Sequence, residues 1–284
     1  MSRKFNKVLL EVVGVVLFIM FMLPFVLVII NAAKTNDLIT MDPIALPESF
    51  MTLFENMKIV WTSENIQFQE SMFNSVFITL SSLFFITIFS AMGAWVLVRT
   101  KTRISGILFM VFVGAMVIPF QVVMFPLVSW FRTITEWTGI ELLREYTGMI
   151  FAYIGFGAPL SIFLFHGFIK SIPVELEEAA EIDGCNKLQT FGYIILPILK
   201  PIYITVLILN GIWIWNDFLL PLLVLGKGND IQTVPLAVSN FVGAFVRQWD
   251  LILTSSLMAI IPIVILFLFA QKHIIKGMVE GSIK

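Results

Sequence analysis

Charge and cysteine are scarce in this 284-residue chain, and each shortage excludes something. Charged residues make up 13% of the total, where a soluble globular domain carries roughly 25%. One cysteine, Cys185, permits no intramolecular disulfide and no thiolate metal cluster. Two histidines, His166 and His273, cannot supply a three-histidine metal site. Lys and Arg number 18 against 19 Asp and Glu. The resulting net charge of −1 leaves no basic footprint for nucleic acid. No Walker-type glycine loop, GxSxG elbow, HExxH or GxGxxG occurs, so the chain carries no recognisable nucleotide or cofactor site of its own.

What is abundant is apolar surface. Hydrophobic residues are 58% of the chain and the mean hydropathy is +0.95. One water-soluble core of this size could not hide so much, and the excess would aggregate. Disordered chains are polar and charge-rich, which excludes that class too. The solvent of this protein is the lipid bilayer.

A hydrocarbon core of roughly 30 Å takes about 20 apolar residues in a helix. Six runs meet that length: Val8–Ile30, Phe73–Val98, Ile104–Val128, Met149–Phe168, Ile202–Leu225 and Leu251–Ala270. They are continuous rather than alternating, which excludes barrel strands. The expected fold is an all-α polytopic membrane protein, one transmembrane domain over 1–284 with six transmembrane helices. The first run is too long for a signal-peptide core of roughly 7–15 residues and is expected to stay as a membrane helix. The N-terminus, the Arg99–Arg103 turn, the 169–201 loop and the C-terminal tail hold twelve of the 18 Lys and Arg, which predicts cytoplasmic termini. Residues 31–72 form a long outer segment with room for a short surface helix. Residues 130–147, with Trp130 and Trp137, suit an interfacial helix.

The cytoplasmic loop 171–201 holds the strongest local signals. Ser171 is placed to cap a helix whose first turn includes Pro173, Glu175, Glu177 and Glu178. Gly184 can end that helix in the left-handed conformation. Asn186 can cap a second helix, with Gln189 in the capping-box position. Pro197 and Pro201 set the entry into the fifth run. The first helix is expected to place Leu176, Ala179 and Ala180 on one side, with small residues that let another backbone approach. On these features alone, a docked partner and an amphipathic elbow lying on lipid headgroups both remain open. Acids facing an anionic leaflet weigh against the second reading.

Glu178-Ala179-Ala180, Asp183-Gly184 and Ile194-Ile-Leu-Pro197 resemble the EAA signature of permease subunits of bacterial ATP-binding-cassette importers. The preceding Pro173-Val-Glu-Leu and the closing Pro201 fit the same signature. Ile118-Pro119-Phe-Gln121, Trp215-Asn216-Asp217-Phe218 with Pro221, and the Gly277–Lys284 ending are similar to the carbohydrate-uptake branch, near the second permease of maltose-type systems. The resemblance runs from about residue 70 to the end. It implies that Leu176, Glu178, Ala179, Ala180, Asp183 and Gly184 form a coupling loop seated on a separate ATPase. It further implies two cytoplasmic ATPase subunits carrying ATP and Mg, a second homologous permease (a heterodimer being favoured) and an extracytoplasmic sugar-binding protein. Nothing catalytic is expected on this chain, and no metal.

In the fifth run, Asn210, Trp213, Asn216 and Asp217 combine amide, carboxylate and aromatic groups, as sugars require; Gln121 in the third run adds an amide. The alternative is structural: Trp at an interface, and Asn216-Asp217 capping or breaking the helix before Pro221. For Asp217 the structural role is favoured. Gly155, Gly157 and Pro159 mark a weak point in the fourth run. An ion-coupled secondary transporter would call for intramembrane carboxylates and inverted repeats, and this chain shows one such Asp and no repeat. The same importer architecture with a non-sugar solute remains a further alternative.

Overall fold

The computed structural model describes residues 2–64, 67–244 and 248–281, and among these the chain is all-helical. The order begins α1 (Ser2–Ala32), α2 (Asn36–Met41), α3 (Met51–Thr62), α4 (Phe68–Arg99), α5 (Arg103–Ala115), α6 (Phe120–Thr138) and α7 (Tyr146–Ile169). It continues α8 (Glu175–Ile182), α9 (Lys187–Thr190), a π-helical turn (Phe191–Ile195), α10 (Leu196–Ile198), α11 (Lys200–Asn216), α12 (Leu219–Val224), α13 (Val234–Ala244) and α14 (Trp249–Gly281). Among the described residues, four helices are long and apolar enough to cross a membrane: Asn6–Ala32, Phe68–Arg99, Tyr146–Ile169 and Trp249–Leu268. Two bent pairs bring the number to six if each pair is one span.

Two of the expected continuous runs are broken. Residues 104–128 are divided between α5 and α6, which meet at 106°. Pro119 has no N–H to continue the ladder and sits at the N-cap of α6. Residues 202–225 are interrupted at Asp217, where the backbone turns extended (φ −72°, ψ 127°) before α12 begins. The second bend, 78°, separates the α9–α10 stretch from α11, with Lys200-Pro201 opening the new helix.

The chain divides into two compact units, Met1–Gln69 with Ala237–Ile261, and Glu70–Leu236 with Pro262–Lys284. In the first, every described side chain from Asn6 to Val26 of α1 is exposed. In hydrocarbon, that is the ordinary condition of an apolar helix. The far end of α1 is held by polar groups. Asn56 Nδ2 donates to the Ala32 carbonyl at 3.0 Å, and Thr254 Oγ1 reaches the same oxygen at 3.3 Å. Lys34 is buried, its ammonium donating to Asn31 Oδ1 and to the Asp42 carbonyl. Among the described residues, the segment 31–72 holds α2 and α3 before α4 begins.

The second unit is organised around α4 and α7. Alpha5 and α11 pack along α7, and α12 bridges α6 and α7. One core joins Ile78, Leu83 and Ile86 of α4 to Met149, Ala152 and Tyr153 of α7, with Ile214 and Leu220. The other joins Ala91 and Ala94 of α4 to Ile162, Phe165 and Ile169 of α7, with Phe191, Ile195 and Leu199 below. Alpha4 also buries a polar stripe at helical spacing: Ser71, Asn74, Ser75, Thr79, Ser82, Thr87 and Ser90. Tyr146 Oη donates to Asn74 Oδ1 at 2.6 Å, and the hydroxyls of Thr87 and Tyr203 lie 2.9 Å apart. Small polar residues of this kind bring membrane helices close and bond them together. His166 is buried and stacks on Phe109, ring centres 3.7 Å apart, which is a packing role.

Candidate functional site: the α8–α9 elbow and the α7–α11 seam

Alpha8 begins three residues later than the composition predicts. Ser171 does not cap it: its hydroxyl donates back to the Phe168 carbonyl and helps finish α7. Pro173 precedes the helix, and Val174 is the N-cap, without a side-chain bond. Glu175, Glu177 and Glu178 occupy the first turn, where carboxylates complement the helix dipole.

The other end follows the sequence closely. Gly184 has φ +86°, in the left-handed region. The Cys185 amide donates to the Ala180 carbonyl at 2.9 Å and the Gly184 amide to Glu181 at 3.0 Å, a Schellman closure. Asn186 Oδ1 then accepts the Gln189 amide at 3.0 Å, while Gln189 Oε1 accepts the Asn186 amide at 2.8 Å. This reciprocal capping box starts α9. In the π turn, the Leu196 amide reaches back five residues to Phe191, just ahead of Pro197.

The faces of α8 correct one expectation. Leu176 and Ala179 are exposed, but Ala180 is buried together with Glu177, three residues before it. Leu176, Ala179 and Ala180 therefore do not share one outward side. The outward surface includes Leu176, Glu178 and Ala179 along with Glu175 and Glu181, with Asp183 and Gly184 on the turn. Apolar Ile182 (87% exposed) and Leu188 (70%) flank it.

Sequence reading missed the junction that joins Glu177 to Arg99 and Trp95. Glu177 Oε1 accepts from Arg99 Nε at 2.7 Å and forms an ion pair with Nη2 at 2.7 Å. Its other oxygen accepts the Trp95 indole N–H at 2.9 Å. Arg99 Nη2 also donates to the Ile172 carbonyl at 3.1 Å. The end of α4 is thereby tied to both the entry and the first turn of α8. The signals lay one residue before the EAA triplet and one residue after the second run, 78 positions apart, with nothing local to connect them.

Of the candidate path residues, two lie in the seam between α7 and α11. Asn210 is 3% exposed; its amide donates to Ser161 Oγ at 3.0 Å and to the Val206 carbonyl at 2.9 Å. Trp213 meets Phe120 and Tyr153 edge-on, ring centres 5.4 and 5.5 Å away. Phe120 also packs edge-on against Phe156 at 4.4 Å. Asp217 Oδ1 accepts the amides of Leu219 (3.0 Å) and Leu220 (3.4 Å), so it opens α12. Its Oδ2 accepts the Tyr153 hydroxyl at 3.2 Å. Asn216 is exposed and its amide donates to the Ile212 carbonyl. Gln121 is exposed in the first turn of α6. Among the described residues there is no group of three or more His, Cys, Asp or Glu able to hold a metal. In the Gly277–Lys284 ending, residues 282–284 lie outside the described residues, as do the side chains of the rest.

Residues 86–280 match the family described as the binding-protein-dependent transport system inner membrane component. The chain belongs to this family. It is a multi-pass inner-membrane transport component, and the family's role is passage of solute rather than chemistry. A relative in Thermoanaerobacterium thermosulfurigenes, a probable starch degradation products transport system permease protein, is 38% identical over 279 residues, 98% of this chain and 97% of its own length. A multiple sugar-binding transport system permease of Streptococcus mutans is 38% identical over 74% of this chain and 75% of its own. A melibiose/raffinose/stachyose import permease of Bacillus subtilis is 34% identical over 81% of each chain. The fold is shared with a bacterial ABC transporter involved in import of the acidic polysaccharide alginate: TM-score 0.81, 20% identity, 96% of this chain and 97% of that one.

Proposed function

We propose that this chain is the membrane permease subunit of an ATP-driven, binding-protein-dependent sugar importer. The observation that carries this reading is the 38% identity, over nearly the full length of both chains, to a permease for starch degradation products. The two other relatives are likewise permeases for sugars. The chain forms half of the translocation path and works with a second, homologous permease, a heterodimer being favoured. Two ATPase subunits in the cytoplasm carry ATP and Mg, and a sugar-binding protein outside delivers the solute. A transporter with this chain's fold has been solved with an alginate-pentasaccharide-bound periplasmic protein, which supports the last of these. Both termini and the 171–201 loop face the cytoplasm.

Alpha8 is the coupling helix. Leu176, Glu178 and Ala179 present an outward surface with an acid between apolar groups, and Gly184 with Asp183 makes the turn that holds it out. Ala180 contributes from inside, letting α8 lie close on its own elbow. Closure of the ATPase pair moves α8, and the membrane helices rearrange around the path. Asn210, Trp213, Asn216 and Gln121 offer that path amides and an aromatic face, and Asp217 shapes the break in the fifth run.

The test is uptake into proteoliposomes containing this chain with its partner permease and ATPases. Uptake that requires ATP and a cognate sugar-binding protein, on a panel of sugars and sugar derivatives, is the expected result. Uptake by this chain alone, driven by an ion gradient, overturns the assignment. Uptake of only non-sugar solutes by the complete assembly overturns the sugar class and keeps the architecture.

A further inference from the structure

The Glu177 carboxylate is the junction between α8 and the membrane helices. It sits in the first turn of α8, and Arg99 is the last residue of α4. An acid at a helix N-terminus and a base at a helix C-terminus each complement their own dipole, so the pair joins two ends that favour those charges. Both side chains are largely withdrawn from solvent, with 19% of Arg99 and 11% of Glu177 accessible. Screening is weaker there than at an exposed pair. The guanidinium binds the carboxylate through two nitrogens and the Ile172 carbonyl through one of them, fixing orientation as well as distance. Trp95, one turn back on α4, binds the other carboxylate oxygen and places its ring on Phe191 of the π turn, centres 5.5 Å apart. The last turn of α4 therefore holds both halves of the elbow, α8 through Glu177 and the segment after α9 through Phe191.

Alpha4 leads from this junction to the seam. Ile86 lies nine to thirteen residues above Trp95 and Arg99, about 14–20 Å along a helix rising 1.5 Å per residue. A Cβ added to Gly157 would meet Ile86 Cδ1 at 2.7 Å and Asn210 Oδ1 at 2.8 Å, so Ile86 and Asn210 press on the same point of α7. The next residue, Thr87, meets Tyr203 of α11. A rigid helix fixed at one end and packed at the other passes displacement between two sites.

We infer that Glu177, Arg99 and Trp95 are positioning residues that convert movement of α8 into movement of α4, and so set how much sugar crosses per ATP hydrolysed. This rests on α8 being the coupling helix. It assigns α8 two faces with different tasks: Leu176, Glu178 and Ala179 meet the ATPase, while Glu177 and Ala180 grip the permease.

The test compares Glu177→Gln, Arg99→Lys and Trp95→Phe in the complete importer with its binding protein and a transported sugar. Glutamine keeps the volume and removes the charge. Lysine keeps the charge and removes the planar fork. Phenylalanine keeps the ring on Phe191 and removes the N–H. In each variant the ATPase subunit is expected to co-purify and basal ATP hydrolysis to be maintained. Sugar moved per ATP falls about tenfold in Glu177→Gln, a typical size for coupling between sites. Arg99→Lys and Trp95→Phe fall between that and wild type. A simple structural role would lower assembled protein without changing that ratio. If Glu177→Gln does not accumulate, Trp95→Phe makes the same comparison. An unchanged ratio in all accumulating variants overturns the proposal. Loss of the ATPase subunit from them also overturns it, since Glu177 would then belong to docking. The coupling-helix reading fails separately: Leu176→Asp and Glu178→Lys would assemble and transport normally.

Discussion

Gly157 lies so close to Asn210 that the amide oxygen of Asn210 occupies the space of a side chain at position 157, 2.8 Å from where a Cβ would stand. Ile86 Cδ1 closes the same space at 2.7 Å. Gly157→Ala is therefore expected to destabilise the chain by about 1–3 kcal/mol, the usual cost of an extra methyl in a filled core. Thermal unfolding in detergent measures it. Asn210→Ala alone should cost about 0.6–1.7 kcal/mol through the lost bond to Ser161. Because the second change relieves part of the clash made by the first, the double variant should lose less than the sum. Strict additivity would mean that the two positions do not compete for space.

Gly184 cannot be replaced by proline without losing both φ +86° and the amide that donates to Glu181. Gly184→Pro is expected to insert at normal levels and to abolish uptake. Gly184→Ala keeps the amide and bears roughly 1–2 kcal/mol of left-handed strain, so partial uptake is expected. Glu178→Lys changes an exposed side chain, so its stability should match wild type while uptake is abolished. Membrane fraction, unfolding temperature and stimulated ATPase on one set of variants separate these effects. Normal uptake in Gly184→Pro or Glu178→Lys would remove α8 from coupling.

Asp217 supports two elements at once, the start of α12 through Oδ1 and the hydroxyl of fully buried Tyr153 through Oδ2. Asp217→Asn keeps a carbonyl oxygen for the Leu219 amide and an amide that can meet Tyr153. Asp217→Ala keeps neither. It should cost about 0.5–2 kcal/mol for the lost cap. Leaving the Tyr153 hydroxyl unpaired adds about 1–3 kcal/mol. Unfolding temperature and uptake should both rank wild type, Asn, then Ala. Asn and Ala behaving alike would show that the charge, rather than the bonding, is what the position supplies.

Trp213 is gripped edge-on by Phe120 and Tyr153, contacts worth about 0.5–1.5 kcal/mol each. If its face also meets sugar, Trp213→Phe should keep most of the packing and raise the sugar concentration for half-maximal uptake, with sugar moved per ATP unchanged. Loss of folded protein with unaltered concentration dependence would give Trp213 a packing role alone.

The legible parts of this protein were local. Gly184 and the Asn186–Gln189 box were readable because each device closes within a few residues. The apolar runs were readable because hydrocarbon imposes length and composition directly. Pro119 marked a weak point, but the 106° turn there depends on what α6 packs against, including α12 from a hundred residues later. Ser171 looked like a cap because capping residues resemble one another in sequence, whichever helix uses them; here its hydroxyl was taken by the end of α7. The inward turn of Ala180 and the grip on Glu177 depend on which side of a short helix meets the chain, and adjacent residues in a helix point about 100° apart. Within the seam, the amide of Asn210 was visible in the sequence; its fit to Gly157 was not.

The α8–α9 elbow completes its own turn. A Schellman closure ends one helix, a reciprocal pair of side-chain bonds starts the next, and neither needs a group from outside the chain. Docking onto an ATPase, in the coupling role proposed above, would then be a meeting of prepared shapes, with little ordering entropy charged against the contact. A joint of this kind can transmit force in either direction throughout the cycle, because its shape does not depend on being gripped.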